Sequence, residues 1–209
     1  QNHATLGIMN LAVLGAGAWG TAMSIALSTR HAVRLWARDP ALARQIAAGR
    51  TNTRYLPGAM LPESILVAEQ VESALADAEL VILAVPTAGL RESFRLVAAQ
   101  ADCTDVVWLC KGFEAGSAKF PHQMAAEELP AGFRTAALSG PSFADEVARG
   151  LPVAVTLASH DAMFSAAAAR VLHTGRLRVY SSDDLAGAET GGAVKNVMAI
   201  AVGVADGLN

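Results

Sequence analysis

The chain has 209 residues, 53% of them hydrophobic and 17% charged, with a formal net charge of -3. That length holds one full domain of roughly 150 residues and part of another, and low charge with high apolar content excludes a disordered chain. The slight acidity excludes a general nucleic-acid or membrane-surface binder, and the apolar run nearest to a membrane span, residues 197–205, is too short to cross.

Residues 1–8 carry neither a basic n-region nor a long apolar h-region, so they read as a leader or extension, with the fold starting near Met9. Residues 10–14 form a short apolar run bounded by glycine, which predicts a buried strand. A helix over 18–30 and a second strand over 31–36 follow. Asp39-Pro40 is a helix start with Asp as N-cap and Pro at the first helical position, and that helix is expected to stop at Gly49. Residues 50–64 are polar and contain Pro and Gly, so they read as a loop.

A strand over 65–68, a helix over 71–76 and a clear buried strand over 79–85 come next; Pro86 ends the last of these. Helices are expected over 90–101 and 121–128, with a strand over 105–110 between them. A strand over 135–138 leads into the turn Ser139-Gly140-Pro141-Ser142, and Pro141 suits the start of a helix through Val147. Strands over 153–158 and 177–180 flank a helix over 162–172. One long helix, 185–205, then closes the chain, and its small residues point to packing on further helices. Strands alternating with helices give an α/β, Rossmann-like, doubly wound and mostly parallel sheet, followed by the first long helix of an all-α domain. The division is 9–183 for the nucleotide domain and 184–209 for the start of the helical one.

Gly15-Ala16-Gly17-Ala18-Trp19-Gly20 matches the dinucleotide fingerprint and sits between a predicted strand and a predicted helix, the context that gives it meaning. Gly15 permits the tight turn, Gly17 lets the backbone approach a pyrophosphate, and Gly20 lets helix pack on strand. Trp19 is read either as packing beside this loop or as touching the cofactor. An acid at the end of the second strand would hold the ribose of NAD. This chain has Ala37 and Arg38 there, and Asp39 is committed as a cap. A guanidinium at Arg38 can pair with a 2′-phosphate, which favours NADP over NAD; an ordinary solvated arginine is the alternative.

Ligands of doubly wound sheets sit beyond the carboxyl ends of the strands. Lys111-Gly112 and the Ser139–142 turn stand at such ends. Lys111 can pair with an anionic substrate, and a helix opening at Pro141 would offer free N–H groups near Ser142. The adjacent Gly191 and Gly192, within a helix, require close approach of a ligand or another backbone. Lys195 and Asn196 follow Gly192 by three and four positions and share its face. There are thirteen arginines but only three lysines, Lys111, Lys119 and Lys195, and only a lysine can give up its proton. A partly desolvated Lys195 would exchange a proton near neutral pH. Cys103 and Cys110, seven apart with no second pair, are read as reduced apolar thiols rather than zinc ligands or a disulfide. His31, His122, His160 and His173 show no partner spacing and are read as surface or capping residues.

Taken together, GAGAWGTA at 15–22, LWARDP at 35–40, VILAVP at 81–86, Lys111-Gly112, SGPSFADEV at 139–147 and GGAVKN at 191–196 resemble the bacterial NAD(P)-dependent glycerol-3-phosphate dehydrogenases. The resemblance implies reduction of dihydroxyacetone phosphate to sn-glycerol 3-phosphate, supplying phospholipid synthesis. It implies Lys195 as the catalytic proton donor, and Lys111, Gly140, Ser142 and Asn196 facing a small phosphorylated substrate. Gly15, Gly17, Ala18, Trp19, Gly20, Arg38, Lys111 and Ala144 would line NADP or NAD, with no metal. It further implies a cytoplasmic enzyme, a homodimer at full length. The family's C-terminal domain supplies an aspartate and an Arg-Asn pair for substrate; the 209 residues end before these, so this stretch is expected to bind cofactor and turn over poorly. The alternatives are a related ketone or 3-hydroxyacid dehydrogenase and a nucleotide-sensing module without chemistry.

Overall fold

In a computed structural model, residues 7–207 are described. The first strand, β1 (Asn10–Leu14), turns into helix α1 (Ala18–Leu27) and returns in β2 (Ala32–Trp36). Then come α2 (Pro40–Gly49), the short strands β3 (Thr51–Asn52) and β4 (Leu56–Met60), β5 (Leu66–Ala68) and α3 (Val71–Leu75). β6 (Leu80–Leu83), α4 (Thr87–Gln100), β7 (Asp105–Trp108), α5 (Pro121–Glu128) and β8 (Arg134–Ser139) continue the winding. The chain closes with α6 (Ala144–Ala148), β9 (Val153–Ala158), α7 (Ala162–Leu172), β10 (Leu177–Ser182) and the long α8 (Leu185–Gly207).

Eight strands form one sheet in the order β10-β9-β8-β7-β6-β1-β2-β5. Neighbours are parallel except β8 and β9, which are antiparallel, so β9 and β10 run against the rest. Strand residues alternate between two cores: Leu11, Val13, Leu80 and Ile82 join one face, Ala12, Leu14, Val81 and Leu83 the other. Both faces being covered is why these strands read as unbroken apolar runs. α1, α2, α6 and α7 bury their apolar stripes on the first face; α3, α4 and α5 do so on the second. The α/β doubly wound architecture expected from the sequence is what forms.

Several boundaries differ for local reasons. α1 stops at Leu27 rather than Arg30, because Ser28 Oγ and Thr29 Oγ1 donate to the carbonyls of Ile25 and Ala26 and compete with further helix. α2 includes Gly49, and Arg50 takes the left-handed cap at φ 49° while its guanidinium donates to the carbonyls of Pro62 and Ile65. α4 begins at Thr87, directly after Pro86. The stretch 50–64 is no plain loop: β3 and β4 pair antiparallel within it. As expected, Asp39 caps α2, its carboxylate accepting from Ala41 N at 2.9 Å.

His31 is a correction. It is buried, its Nδ1 accepting from Met9 N at 3.3 Å and its Nε2 donating to Val171 O at 3.0 Å. That pattern requires a neutral ring, and burial pushes its pKa below the ordinary 6.5. Below pH 6.5 the unfolded chain therefore takes up a proton that the folded chain resists, and stability falls as pH drops. Urea midpoints at pH 7.5 and 5.5 test this: the wild type should lose more stability than His31→Gln, and equal losses would remove His31 from the account.

Candidate functional site

The turn from β1 into α1 is made by backbone that no side chain could share. Gly15 has φ +114°, and a Cβ there would stand 2.5 Å from Ala84 O. A Cβ on Gly20 would stand 1.8 Å from Gly15 O, so the first turn of α1 crosses the strand end at hydrogen contact. Gly17 caps α1 in extended conformation, no side chain caps the helix, and a Cβ at Gly17 would meet nothing within 4 Å. Open space thus lies over the uncapped amides of Gly17, Ala18 and Trp19, where an anion is favoured. This is the fit a dinucleotide's pyrophosphate requires. Trp19 packs on the core and also lines a recess with Leu109, Lys111, Gly140 and Ser142.

Arg38 lies two residues past Trp36, whose strand partner Leu14 immediately precedes the glycine turn. It is exposed. Ala144 is buried and opens α6, which packs on α1.

At the neighbouring strand ends, Lys111 follows β7 and is half-buried. Its Nζ donates to Gly140 O at 3.0 Å, and its carbonyl accepts from Thr87 Oγ1 at 3.0 Å. Ser142 is buried in the recess beside Trp19. α8 settles on these ends through Gly192: a Cβ there would lie 2.9 Å from Ser139 Oγ and 3.4 Å from Lys111 Cγ. Gly191 instead faces open space. Lys195 then joins Ser139, Gly140, Asp184 and Gly191 around a cavity of about 400 Å³. Its Nζ stands 5.4 Å from the Phe143 ring centroid, a cation–π contact. The Asn196 side chain lies outside the described residues.

One expectation changes. The helix expected at Pro141 starts at Ala144, where Phe143 N donates to Glu146 Oε2 at 3.1 Å, and Ser142 precedes it. The Lys111 pKa is lowered first by burial and then by the charge of Lys195.

Glu189 and His122 escaped the sequence reading. Glu189 is buried; its Oε1 accepts from Trp108 Nε1 and His122 N, both at 3.1 Å, and its Oε2 lies 2.5 Å from His122 Nδ1. Burial pushes its pKa up, opposed chiefly by the hydrogen bond from His122. His122 is therefore no surface histidine. No local spacing links residues 67 apart. Asn52 was also missed, buried under the glycine turn and hidden within the supposed loop. Among the described residues no group of three or more metal-ligating side chains exists, and both cysteines are free.

The pattern defining the N-terminus of NAD-dependent glycerol-3-phosphate dehydrogenase matches residues 10–165. The chain belongs to this family. The family's C-terminal pattern matches 184–209. Glycerol-3-phosphate dehydrogenase [NAD(P)+] of Dechloromonas aromatica is 54% identical over 200 residues, which are 96% of this chain and 61% of that protein. The enzyme of the same name from Nitrosomonas europaea is 52% identical over the same share of each. The solved glycerol-3-phosphate dehydrogenase of Coxiella burnetii superposes with a TM-score of 0.88 at 37% identity, covering 96% of this chain and 62% of the other. An imine reductase from Aspergillus terreus, 17% identical with a TM-score of 0.64, shares the fold alone. The chain thus spans about three-fifths of the length of the glycerol-3-phosphate dehydrogenases it matches.

If the Lys195 charge presses on Lys111, Lys195→Met should raise the Lys111 pKa. NMR titration of isotope-labelled lysines reads it, and an unmoved Lys111 would mean that the Lys195 charge does not reach it.

Proposed function

We propose that this chain is the nucleotide-binding part, with the first helix of the substrate domain, of an enzyme that reversibly reduces dihydroxyacetone phosphate to sn-glycerol 3-phosphate. NADPH is the preferred reductant, NADH the second, and the product supplies glycerophospholipid synthesis. The nucleotide domain is 9–183 and the substrate domain starts at 184; the break between β10 and α8 supports that division. The exposed Val194, Met198, Ile200, Val202 and Val204 of α8 suit a helix that packs on further helices.

The observation carrying this reading is the seating of Gly192 against Ser139 and Lys111. It brings Lys195 to the cavity that Gly140 shares, next to the recess of Trp19 and Ser142. A bound reduced nicotinamide supplies the hydride. Gly15, Gly17, Ala18, Trp19, Gly20 and Ala144 shape its seat, and Arg38 pairs with the 2′-phosphate. Lys195 gives its proton to the ketone oxygen as negative charge develops there, a role for which a guanidinium is too weak an acid. Lys111, Gly140 and Ser142 hold the substrate, with Asn196 beside Lys195. The half-buried Lys111 ammonium offers the phosphate a poorly hydrated cation, which strengthens the pairing.

The same reading takes the full-length enzyme as a cytoplasmic homodimer. The free Cys103 and Cys110 fit a reducing compartment, the Cys110 thiol pushed up to about 12 by burial. Among the described residues no helix is long and apolar enough to cross a membrane.

Fluorescence titration tests the cofactor end. Arg38→Ala should weaken NADPH binding by about tenfold, equivalent to ~1.4 kcal/mol, and leave NADH nearly unchanged. Equal binding of both cofactors before and after the change would remove the NADP preference. In the full-length enzyme, Lys195→Met should slow dihydroxyacetone phosphate reduction by about 10²–10⁴-fold; a normal rate would exclude Lys195 as the proton donor.

A further inference from the structure

Asn52 is fully buried, on the short strand β3 that ends at it. Its Nδ2 donates twice, to Ala16 O and to Thr21 Oγ1, both at 2.8 Å. Its Oδ1 accepts from Tyr55 N at 3.2 Å, closing the bend into β4. The side chain therefore joins three pieces: the glycine turn, the first turns of α1, and the β3–β4 hairpin.

The bond to Ala16 O has a consequence through the peptide plane. The Ala16–Gly17 peptide is trans, as are all described peptide bonds. In a trans peptide the C=O and the next N–H point in opposite directions. A carbonyl drawn to Asn52 turns the Gly17 N–H away from Asn52, and a Cβ on Gly17 would meet nothing within 4 Å. The bond to Thr21 Oγ1 holds the same amide against α1, whose Thr21 N also donates to Gly17 O at 3.0 Å.

We infer that Asn52 is a positioning residue for dinucleotide binding: by holding Ala16 O beneath the turn it keeps the Gly17 amide aimed at the pyrophosphate. It acts through the turn and touches no ligand itself. The inference rests on the dinucleotide reading of the glycine turn and adds the hairpin as its support. Because pyrophosphate is common to NADH and NADPH, the effect is blind to the 2′-phosphate, which separates Asn52 from Arg38.

The test is a fluorescence titration of NADH and NADPH against the 209-residue chain, its Asn52→Asp variant and its Thr21→Val variant, with thermal melts alongside. Asn52→Asp keeps the acceptor for Tyr55 N and loses both donors. It should weaken both cofactors alike, by about tenfold, the loss expected when a buried donor pair is replaced by a carboxylate facing a carbonyl. Thr21→Val, which removes one of the two acceptors without burying a charge, should weaken both by about threefold; it carries the test if the first variant melts without cooperativity. Cooperatively folded variants with wild-type affinities would overturn the inference, as would a loss confined to NADPH. Failure of the wild-type chain to bind either cofactor would instead strike the dinucleotide reading itself.

Discussion

The carboxyl edge of the sheet is organised by one steric demand: α1 must leave β1 so abruptly that Gly20 lies at hydrogen contact with Gly15 O. A methyl group at either glycine would collide with backbone, which cannot swing aside as a side-chain tip can. The demand places the uncapped first turn of α1 directly over the strand end, next to the ends of β2, β6, β7 and β8. The recess of Trp19, Lys111 and Ser142 and the cavity of Lys195 both stand on that edge. The hairpin of β3 and β4 tucks beneath the same turn, so a segment far from the sheet order takes part in the site.

A second close approach sets the chemistry. Gly192 allows α8 to rest on Lys111 and Ser139, and Glu189, three residues earlier on the helix, is tied to Trp108 and His122. The helix is held at Glu189 and at Gly192, and Lys195 lines the cavity three residues beyond the second of these. Burial and, after it, the charge of Lys195 both penalise the Lys111 ammonium. Such an arrangement is unfavourable without an anion and is relieved by one.

Much of this was legible in local pattern. The Asp39-Pro40 cap, the apolar runs of β1 and β6 and the glycine spacing are short-range signals; β1 formed over the expected residues and β6 within the expected 79–85. The failures were long-range. His31, His122 and Asn52 are satisfied by Val171, Glu189 and Ala16, partners 140, 67 and 36 residues away. A polar side chain looks like surface until its partner is known. The helix expected at Pro141 failed differently: Pro is compatible with a helix start, but Glu146 bonds Phe143 N and sets the entry three residues later.

The sequence by itself determined the fold class and the identities of the side chains at the strand ends, because hydrophobic periodicity and glycine spacing report local geometry directly, and its motifs carried the resemblance to the family. Only the tertiary structure decided that the Lys111 ammonium bonds Gly140 O, that β9 runs against β8, and that a hairpin supports the glycine turn. Those features depend on burial and on contacts between distant segments, and neither quantity is carried by any short stretch of chain.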